Sequence, residues 1–178
     1  MNFKSQLVLI LLQIFNFIYK YIPFLTIKRL LLICAGFKIG EKSYIHNAKF
    51  FHFGRLEVGN NSTINGGCYL DNRFKITIGN NVSIAHDTKI YTLGHDIDDK
   101  DFKAKGAEVT IEDYVCIFSN VLIMPGVKIG KGAVIFPGSI VTKNVNEYDV
   151  VGGNPAKFIK KRNQNLEYQL NYNYWFAQ

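Results

Sequence analysis

Aliphatic residues recur at every sixth position over most of the chain. The longest unbroken series is Ile111, Ile117, Ile123, Ile129, Ile135 and Val141. Three earlier triplets keep the same spacing: Ile39, Ile45 and Phe51; Val58, Ile64 and Leu70; Ile78, Ile84 and Ile90. An α-helix repeats every 3.6 residues and a strand every two, so neither alone explains this period. The pattern predicts a short strand followed by a corner, with three such units forming one triangular coil and the whole series forming about five coils.

A second layer of small or β-branched residues follows many anchors by four positions, and we expect these residues to let the corners close. They are Ser43, Ser62, Val82, Val115, Val121, Val127, Ala133 and Ser139. Several anchors are followed directly by glycine, at Gly40, Gly59, Gly79 and Gly130. At these corners we expect glycine or asparagine to supply a positive φ.

The repeat is interrupted between Ile90 and Ile111 by a polar stretch. Residues 91–110 are therefore predicted to leave the coil at a corner as a loop, and long excursions of this kind are usually functional. The repeat domain spans 37–155, between an N-terminal segment at 1–36 and a basic, aromatic tail at 156–178. The tail after Arg162 is compatible with a short helix packed on the coils or a partner, or with partial disorder.

The N-terminal segment is apolar over residues 7–18, which is shorter than the roughly 20 residues that a spanning helix needs. It predicts two helices, about 4–21 and 24–35, broken at Pro23. Two partners would suit their apolar surface: the neighbouring domain or another subunit, or the inner face of a membrane as a peripheral contact helped by nearby lysines.

Composition narrows the function classes. The 178 residues suit one domain and carry a formal net charge of +7. No basic motif interleaved with aromatics appears, so we expect no nucleic-acid partner. The three cysteines suggest neither a disulfide framework nor a zinc site, which favours a reducing, cytoplasmic location and no metal.

Two stretches carry a family resemblance: IYTLGHDID at 90–98, and the C-terminal repeats at 115–145 followed by VVGGNPAKFIKK at 150–161. On these motifs the chain resembles the hexapeptide-repeat, acetyl-CoA-dependent sugar O-acetyltransferases over about residues 36–161. The resemblance implies an all-β fold, a left-handed parallel β-helix, with acetyl-CoA as donor. It also implies a homotrimer with active sites at the subunit seams.

The same resemblance makes His95 the general base, and its place in the interrupting loop agrees with that role, because histidine can accept a proton near neutral pH. Asp96 would orient His95 or bind the acceptor. Asn65 would hold the acceptor hydroxyl one coil from His95, although asparagine also suits a positive-φ corner. Asp71, with Arg73, would lie beside Asn65 and touch the sugar. The histidines after anchors, His46 among them, are expected to face outward without a catalytic role.

For the donor, the resemblance implies that the backbone N–H of Ser119 binds the thioester oxygen, where such donors stabilise an oxyanion. The other expected coenzyme A contacts are Cys116 at the acyl site, Pro137 and Gly138 along the pantetheine, Thr142 and Lys143 near its phosphate end, and Lys157 and Lys160 at the phosphates. Family members often have Trp where Cys116 stands and Gly where Phe118 stands, which leaves the acyl group open.

The sequence therefore predicts a sugar O-acetyltransferase, in surface polysaccharide or glycoconjugate synthesis. Three alternatives stay open on the residues alone. The same fold could acetylate the amine of an amino sugar. A γ-class carbonic anhydrase shares the β-helix but needs three zinc-binding histidines. A non-enzymatic β-helix would serve only for binding.

Overall fold

The computed structural model describes residues 3–170 and 175–176, and its central feature is a three-sided parallel β-helix. Face 1 contains β1 (Lys38–Ile39), β4 (Leu56–Val58), β7 (Ile76–Ile78), β12 (Val109–Ile111) and β15 (Lys128–Ile129). Face 2 contains β2 (Tyr44–Ile45), β5 (Thr63–Ile64), β8 (Ser83–Ile84), β13 (Cys116–Ile117), β16 (Val134–Ile135) and β18 (Asp149–Gly152). Face 3 contains β3 (Ala48–Phe50), β6 (Cys68–Leu70), β9 (Lys89–Ile90), β14 (Leu122–Ile123) and β17 (Ile140–Val141).

The six-residue period places one aliphatic side chain of each strand inside the prism. In register, Val58 lies opposite Ile78, and Ile78 opposite Ile111. The chain completes five coils and adds two sides of a sixth, where Val145 bridges to Ile129 and β18 pairs with β16. The small residues four positions after the anchors, from Ser43 to Ser139, are buried. The interior is therefore one continuous apolar column.

Phe51 was wrongly predicted as an anchor, because the buried residue of that strand is Phe50, which is 1% exposed. Phe50 pairs with Leu70, yet it follows Ile45 by five residues, whereas Leu70 follows Ile64 by six. The corner of the first coil is one residue shorter, and the ring of Phe51 lies outside, 4.5 Å from that of Tyr69.

The glycines that follow anchors are needed for a different reason from the one predicted. Gly40, Gly59, Gly79 and Gly130 are not among the positive-φ residues. A Cβ built on Gly59 would lie 2.7 Å from the backbone carbonyl of Gly79 in the next coil. Close approach of stacked coils therefore excludes a side chain here. Positive φ occurs instead at other corner positions, such as Asn61 and Asn81.

The two predicted helices are confirmed as α1 (Phe3–Tyr21) and α2 (Leu25–Cys34), on either side of Pro23. They cover the open end of the first coil. The Tyr19 hydroxyl donates to the Ile45 carbonyl at 2.6 Å, and the Asn16 amide exchanges two hydrogen bonds of 2.9 Å with the backbone of Phe50. Neither helix, and no other in the described part of the chain, has the length and apolar character required to cross a membrane.

The interruption of the repeat is an antiparallel hairpin of β10 (Leu93–His95) and β11 (Ala104–Gly106). It leaves the coil after face 3 of the third coil, and the chain rejoins face 1 at β12. The excursion predicted for 91–110 therefore has a defined structure at its base. It carries His95 at the last position of β10.

The chain after the β-helix turns back along it. β19 (Lys157–Lys161) runs antiparallel to β18, and the described residues that follow, 163–170, form no helix. Arg162 donates to the carbonyls of Tyr114 and Gly132, at 3.0 and 3.3 Å, and Tyr168 also reaches Tyr114. The prediction of a short helix is therefore wrong for residues 163–170, which lie on the coils as irregular chain. Residues 171–174 and 177–178, to which the tail prediction also applied, lie outside the described residues.

Candidate active site

The corner between faces 2 and 3, called the 2–3 corner, is a vertical stack of turns. Backbone N–H groups of one coil donate to carbonyls of the same corner in a neighbouring coil: Gly67 to Asn47, Asp87 to Gly66, Asn120 to His86, and Gly138 to Ser119. Coils are spaced by about 4.8 Å, the usual distance between paired strands. The stack therefore forms a straight edge along the whole β-helix.

Ser119, Pro137 and Gly138 all lie on this edge, in the fourth and fifth coils. The Ser119 N–H has no acceptor among the described residues, and Pro137 above it has no N–H to donate. Gly138 has a φ of +68°, and a Cβ built there would meet nothing within 4 Å. The upper part of the 2–3 corner thus presents an open backbone surface with a donor available at Ser119.

Lys157 joins the same edge from above, because it pairs with Gly152 at the end of β18. Lys160 lies farther along face 2, opposite Val150. Both lysines are exposed, and neither takes part in an ion pair within residues 3–170 and 175–176. Lys157 adds positive charge at the 2–3 corner, and Lys160 adds it farther along face 2.

The corner between faces 3 and 1, called the 3–1 corner, holds the remaining predicted residues. Asp71 stacks beneath Tyr91 there, since its N–H donates to the Ile90 carbonyl. The His95 hairpin leaves this corner directly after Tyr91, and Thr142 and Lys143 follow face 3 two coils later. The coenzyme A contacts expected from the sequence are therefore divided between two corners of one chain.

His95 is exposed, and its ring stacks on that of Phe102 with centroids 4.5 Å apart and planes inclined by 6°. Phe102 comes from the turn of the same hairpin, at a φ of +48°. Neither ring nitrogen of His95 has a hydrogen-bond partner among the described residues. The hairpin thus fixes the plane of the imidazole and leaves both nitrogens available to a substrate.

The Asp96 carboxylate is engaged away from His95. It accepts from the Lys105 ammonium at 2.7 Å and from the Asp98 N–H at 3.2 Å. The hydrogen bond from Lys105, followed by that from Asp98, lowers the pKa of Asp96. No hydrogen bond joins Asp96 to His95 within the described residues, and the Asp96 carboxylate instead links two parts of the hairpin.

The Asp71 carboxylate is fully buried and forms two hydrogen bonds of 2.7 Å with the Arg73 guanidinium. This pair lies beneath the hairpin and beside the rings of Tyr69 and Tyr91, whose centroids are 5.3 Å apart. Burial, followed by the charge of Asp71, raises the pKa of Tyr69. The sequence reasoning missed these tyrosines, and it missed Phe102, because no motif marks them.

Asn65 and His95 do not meet in one chain, which corrects the stacking prediction. The Asn65 N–H donates to the Ile84 carbonyl, so Asn65 lies on the 2–3 corner beneath Ala85. His95 arises from the 3–1 corner, one face away. For the same reason Asp71 and Arg73 are not beside Asn65. One coil of separation in sequence does not bring two residues together unless they occupy the same corner.

Cys116 lies half-buried on face 2 between Ser83 and Val134. Burial raises the pKa of its thiol, opposed by the charge of Arg162, so the thiol is a weak nucleophile at neutral pH. Within residues 3–170 and 175–176, no group of three or more His, Cys, Asp or Glu could hold a metal ion.

Comparison with known proteins places this architecture in a family. No family profile matches the chain. The galactoside O-acetyltransferase of Escherichia coli is 33% identical over 129 residues, 70% of this chain and 64% of its own length. YvoF of Bacillus subtilis, a predicted acetyltransferase, is 31% identical over 84% of this chain and 86% of its own length. YJL218W of Saccharomyces cerevisiae, also a predicted acetyltransferase, is 40% identical over 66% of this chain.

Solved structures give the same result. A hexapeptide-repeat acetyltransferase from Vibrio cholerae, complexed with acetyl coenzyme A, superposes with a TM-score of 0.81 at 25% identity, over 90% of both chains. A galactoside acetyltransferase in complex with coenzyme A also gives 0.81 at 25% identity, over 92% of this chain and 84% of that one. These likenesses confirm the predicted fold class, an all-β left-handed parallel β-helix.

The fold, together with these relatives, defines the class of protein. The chain belongs to the hexapeptide-repeat acetyltransferases, because YvoF matches it along most of both lengths and the Vibrio cholerae hexapeptide-repeat acetyltransferase superposes over 90% of both chains. The chain spans 61% and 64% of the length of the yeast and galactoside relatives.

Proposed function

We propose that the protein transfers an acetyl group from acetyl-CoA to a hydroxyl of a sugar, with His95 as the general base. The observation that carries this proposal is the hairpin that interrupts the β-helix and ends at an exposed histidine, in a family whose solved members bind coenzyme A. Acetyl-CoA takes part as the acyl donor, and the chemistry requires no metal.

The active site is proposed to lie between subunits of a homotrimer. Face 3 separates the 2–3 corner, with Ser119, from the 3–1 corner, with the His95 hairpin. The six residue steps of extended chain from Asn65 to Asp71 span roughly 20 Å at most. A closed ring of three chains makes a head-to-tail contact in which the 3–1 corner of one subunit faces the 2–3 corner of the next. Such a seam would bring the two groups together.

The mechanism is direct transfer. The acceptor hydroxyl donates its proton to a ring nitrogen of His95 as its oxygen attacks the thioester carbonyl carbon. The resulting oxyanion accepts a hydrogen bond from the Ser119 N–H, which has no other acceptor among the described residues. Collapse of the tetrahedral intermediate breaks the carbon–sulfur bond, and the histidinium returns the proton to the departing thiolate.

The donor would lie along the 2–3 corner. Pro137 and Gly138 offer a surface without projecting side chains, and Lys157 and Lys160 offer charges to the phosphates of coenzyme A. Thr142 and Lys143 would reach the same molecule from the 3–1 corner of the adjacent subunit. Cys116 stands on face 2 below this groove, where it would border the acyl group.

The acceptor is proposed to be a sugar because a sugar matches the groups near the hairpin. Phe51, Tyr69 and Tyr91 form a column of half-buried rings, with centroids 4.5 and 5.3 Å apart, that can cover the C–H face of a pyranose. The hydroxyls of Tyr69 and Tyr91, together with Arg73, can bind its oxygens. Asn65, from the facing corner, would hold the reacting hydroxyl.

The N-terminal helices favour a peripheral membrane location in the cytoplasm. Most apolar side chains of α1 are exposed, including Leu7, Ile10 and Phe17, and Lys20 lies at its end. An amphipathic segment of this kind can lie on an anionic bilayer surface. Synthesis of a surface polysaccharide or glycoconjugate at the inner membrane face is the role that would suit both helices and acceptor.

The test is a screen of sugars, galactosides and amino sugars included, with acetyl-CoA and with released thiol as the readout. We expect thiol release with at least one hydroxyl acceptor, and His95→Ala should lower kcat by about 100-fold or more, the usual contribution of a general base. Coenzyme A affinity, measured by calorimetry, should stay within about twofold. Full turnover in His95→Ala would remove His95 from this role, and acetylation confined to amines would replace the hydroxyl acceptor.

A further inference from the structure

We propose that the groove between α1 and the first two coils binds an apolar chain carried by the acceptor sugar, so that the acceptor is an amphiphilic glycoconjugate. The inference rests on the acetyltransferase function proposed above and specifies its substrate class. The groove has a volume of about 690 Å³, within the range of roughly 300–1,000 Å³ typical of small-molecule sites.

The walls of the groove are mostly apolar and come from two elements. Ile14 and Phe17 of α1 form one wall, and Ala48 and Cys68 of face 3 form the other. The side chains of Ile14 and Phe17 are 50% and 67% exposed in the single chain. Burying them against an alkyl chain would remove apolar surface from water on both partners, which is the main driving force for such binding.

The groove is held open by its own hydrogen bonds. Asn16, on the groove-lining face of α1, exchanges two hydrogen bonds of 2.9 Å with the backbone of Phe50. One turn later, the buried Tyr19 hydroxyl donates to the Ile45 carbonyl. These contacts fix the distance between helix and coil, so the ligand meets a site that is already formed.

The groove is continuous with the proposed active site. Its lining includes Asn47 and Gly67, which belong to the 2–3 corner, and Asn65 precedes Gly67 by two residues. Along this corner Ser119 lies two coils above Gly66, a distance of roughly 10 Å at the spacing of paired strands. A short glycan can bridge this distance, with its reacting hydroxyl near Ser119 and its apolar chain between α1 and face 3.

Charge at the groove favours an anionic amphiphile over a second copy of this basic chain. Lys20 and Lys49 both line it, and neither belongs to an ion pair in the part of the chain that the structure describes. Two such cations beside an apolar wall match a phosphate that joins a sugar to a hydrocarbon chain. Lys20 and Lys49 lie over the rings of Tyr21 and Phe51, and a neutral aglycone would offer neither lysine an anionic partner.

The experiment compares methyl and hexyl β-D-galactoside, each with and without an anomeric phosphate linkage, by calorimetry and by thiol release from acetyl-CoA. For the wild-type protein we expect each hexyl compound to bind at least tenfold more tightly than its methyl counterpart, with the phosphate form tightest. The double variant Ile14→Gln, Phe17→Gln should reduce the hexyl-to-methyl ratio to about one. Ile18→Gln, an exposed apolar position of α1 outside the groove, should leave the ratio unchanged.

Several outcomes would overturn the proposal. Equal affinity for methyl and hexyl compounds would do so, as would a ratio that survives in the double variant. Hexan-1-ol binding as tightly as hexyl galactoside would make the groove a lipid site unrelated to the acceptor. A change of oligomeric state in the double variant would show that a second copy fills it. Tight hexyl binding without thiol release would count instead against galactoside acetylation.

Discussion

Lys28 is the residue whose environment differs most from what its type suggests. Its side chain is fully buried, and its ammonium donates to the Tyr19 carbonyl at 2.7 Å and to the Asn47 side chain at 2.6 Å. Burial lowers the pKa of Lys28 to about 8. His46 nearby is also buried, because α2 packs against β2, so the predicted outward position of His46 is wrong. Burial, followed by the charges of Lys28 and His86, lowers the pKa of His46.

This environment predicts a pH dependence of stability. Above pH 8 the folded state loses the Lys28 proton, whereas the unfolded state keeps it up to about pH 10.5. The unfolded state then binds more protons, so the free energy of unfolding rises with pH. We expect wild type to gain up to about 2 kcal/mol relative to Lys28→Met between pH 8 and 9.5, at roughly 1.4 kcal/mol per unit. Urea denaturation of both proteins measures the difference, and a flat or falling difference contradicts it.

At the scale of elements, the close stacking of coils predicts that the glycines after anchors tolerate no side chain. Gly59→Ala would place a methyl 2.7 Å from the Gly79 carbonyl. We expect the free energy of unfolding to fall by about 1–3 kcal/mol, the usual cost of overpacking.

Gly94→Ala is the matched control, because a Cβ there meets nothing within 4 Å. Its effect should stay within about 0.5 kcal/mol, as for ordinary surface substitutions. Urea denaturation curves of the two variants provide the measurement. Equal destabilisation by both variants would show that coil spacing can adapt to a side chain at position 59.

The elements were predictable where their cause is local. Anchors every six residues define the coils, and Pro23 separates two apolar helices, so both features follow from short stretches of chain. The lengths of the corners do not follow from such short stretches. A one-residue difference between the first two coils places Phe50 inside the β-helix, where the sequence pattern predicted Phe51. The pairing of Asn65 with His95 failed because sequence distance gives the coil but not the corner. Phe102 stacks on His95 through a turn that no motif encodes.

At the scale of the whole molecule, the candidate site is incomplete within one chain. His95, the proposed proton acceptor, stands on the hairpin of the 3–1 corner, and Ser119, the proposed oxyanion donor, stands on the 2–3 corner, with face 3 between them. The hairpin is anchored in its own corner by Ala107 and Phe74, which bond to Thr92. We therefore expect a neighbouring subunit to supply the 2–3 corner that holds the acetyl-CoA thioester next to His95.

Mixing two inactive variants tests this arrangement. His95→Ala lacks the base, and Ser119→Trp fills the donor groove, so each should retain about 1% of turnover or less. In mixed trimers assembled from equal amounts, about a quarter of the seams combine an intact hairpin with an intact groove, because each seam draws one corner from each of two chains. We therefore expect thiol release to recover to about a quarter of the wild-type rate. A chain that carries both His95→Ala and Ser119→Trp, mixed with His95→Ala, offers no intact hairpin and should stay inactive. If the two single variants also stay inactive after verified co-assembly, both groups must act within one chain.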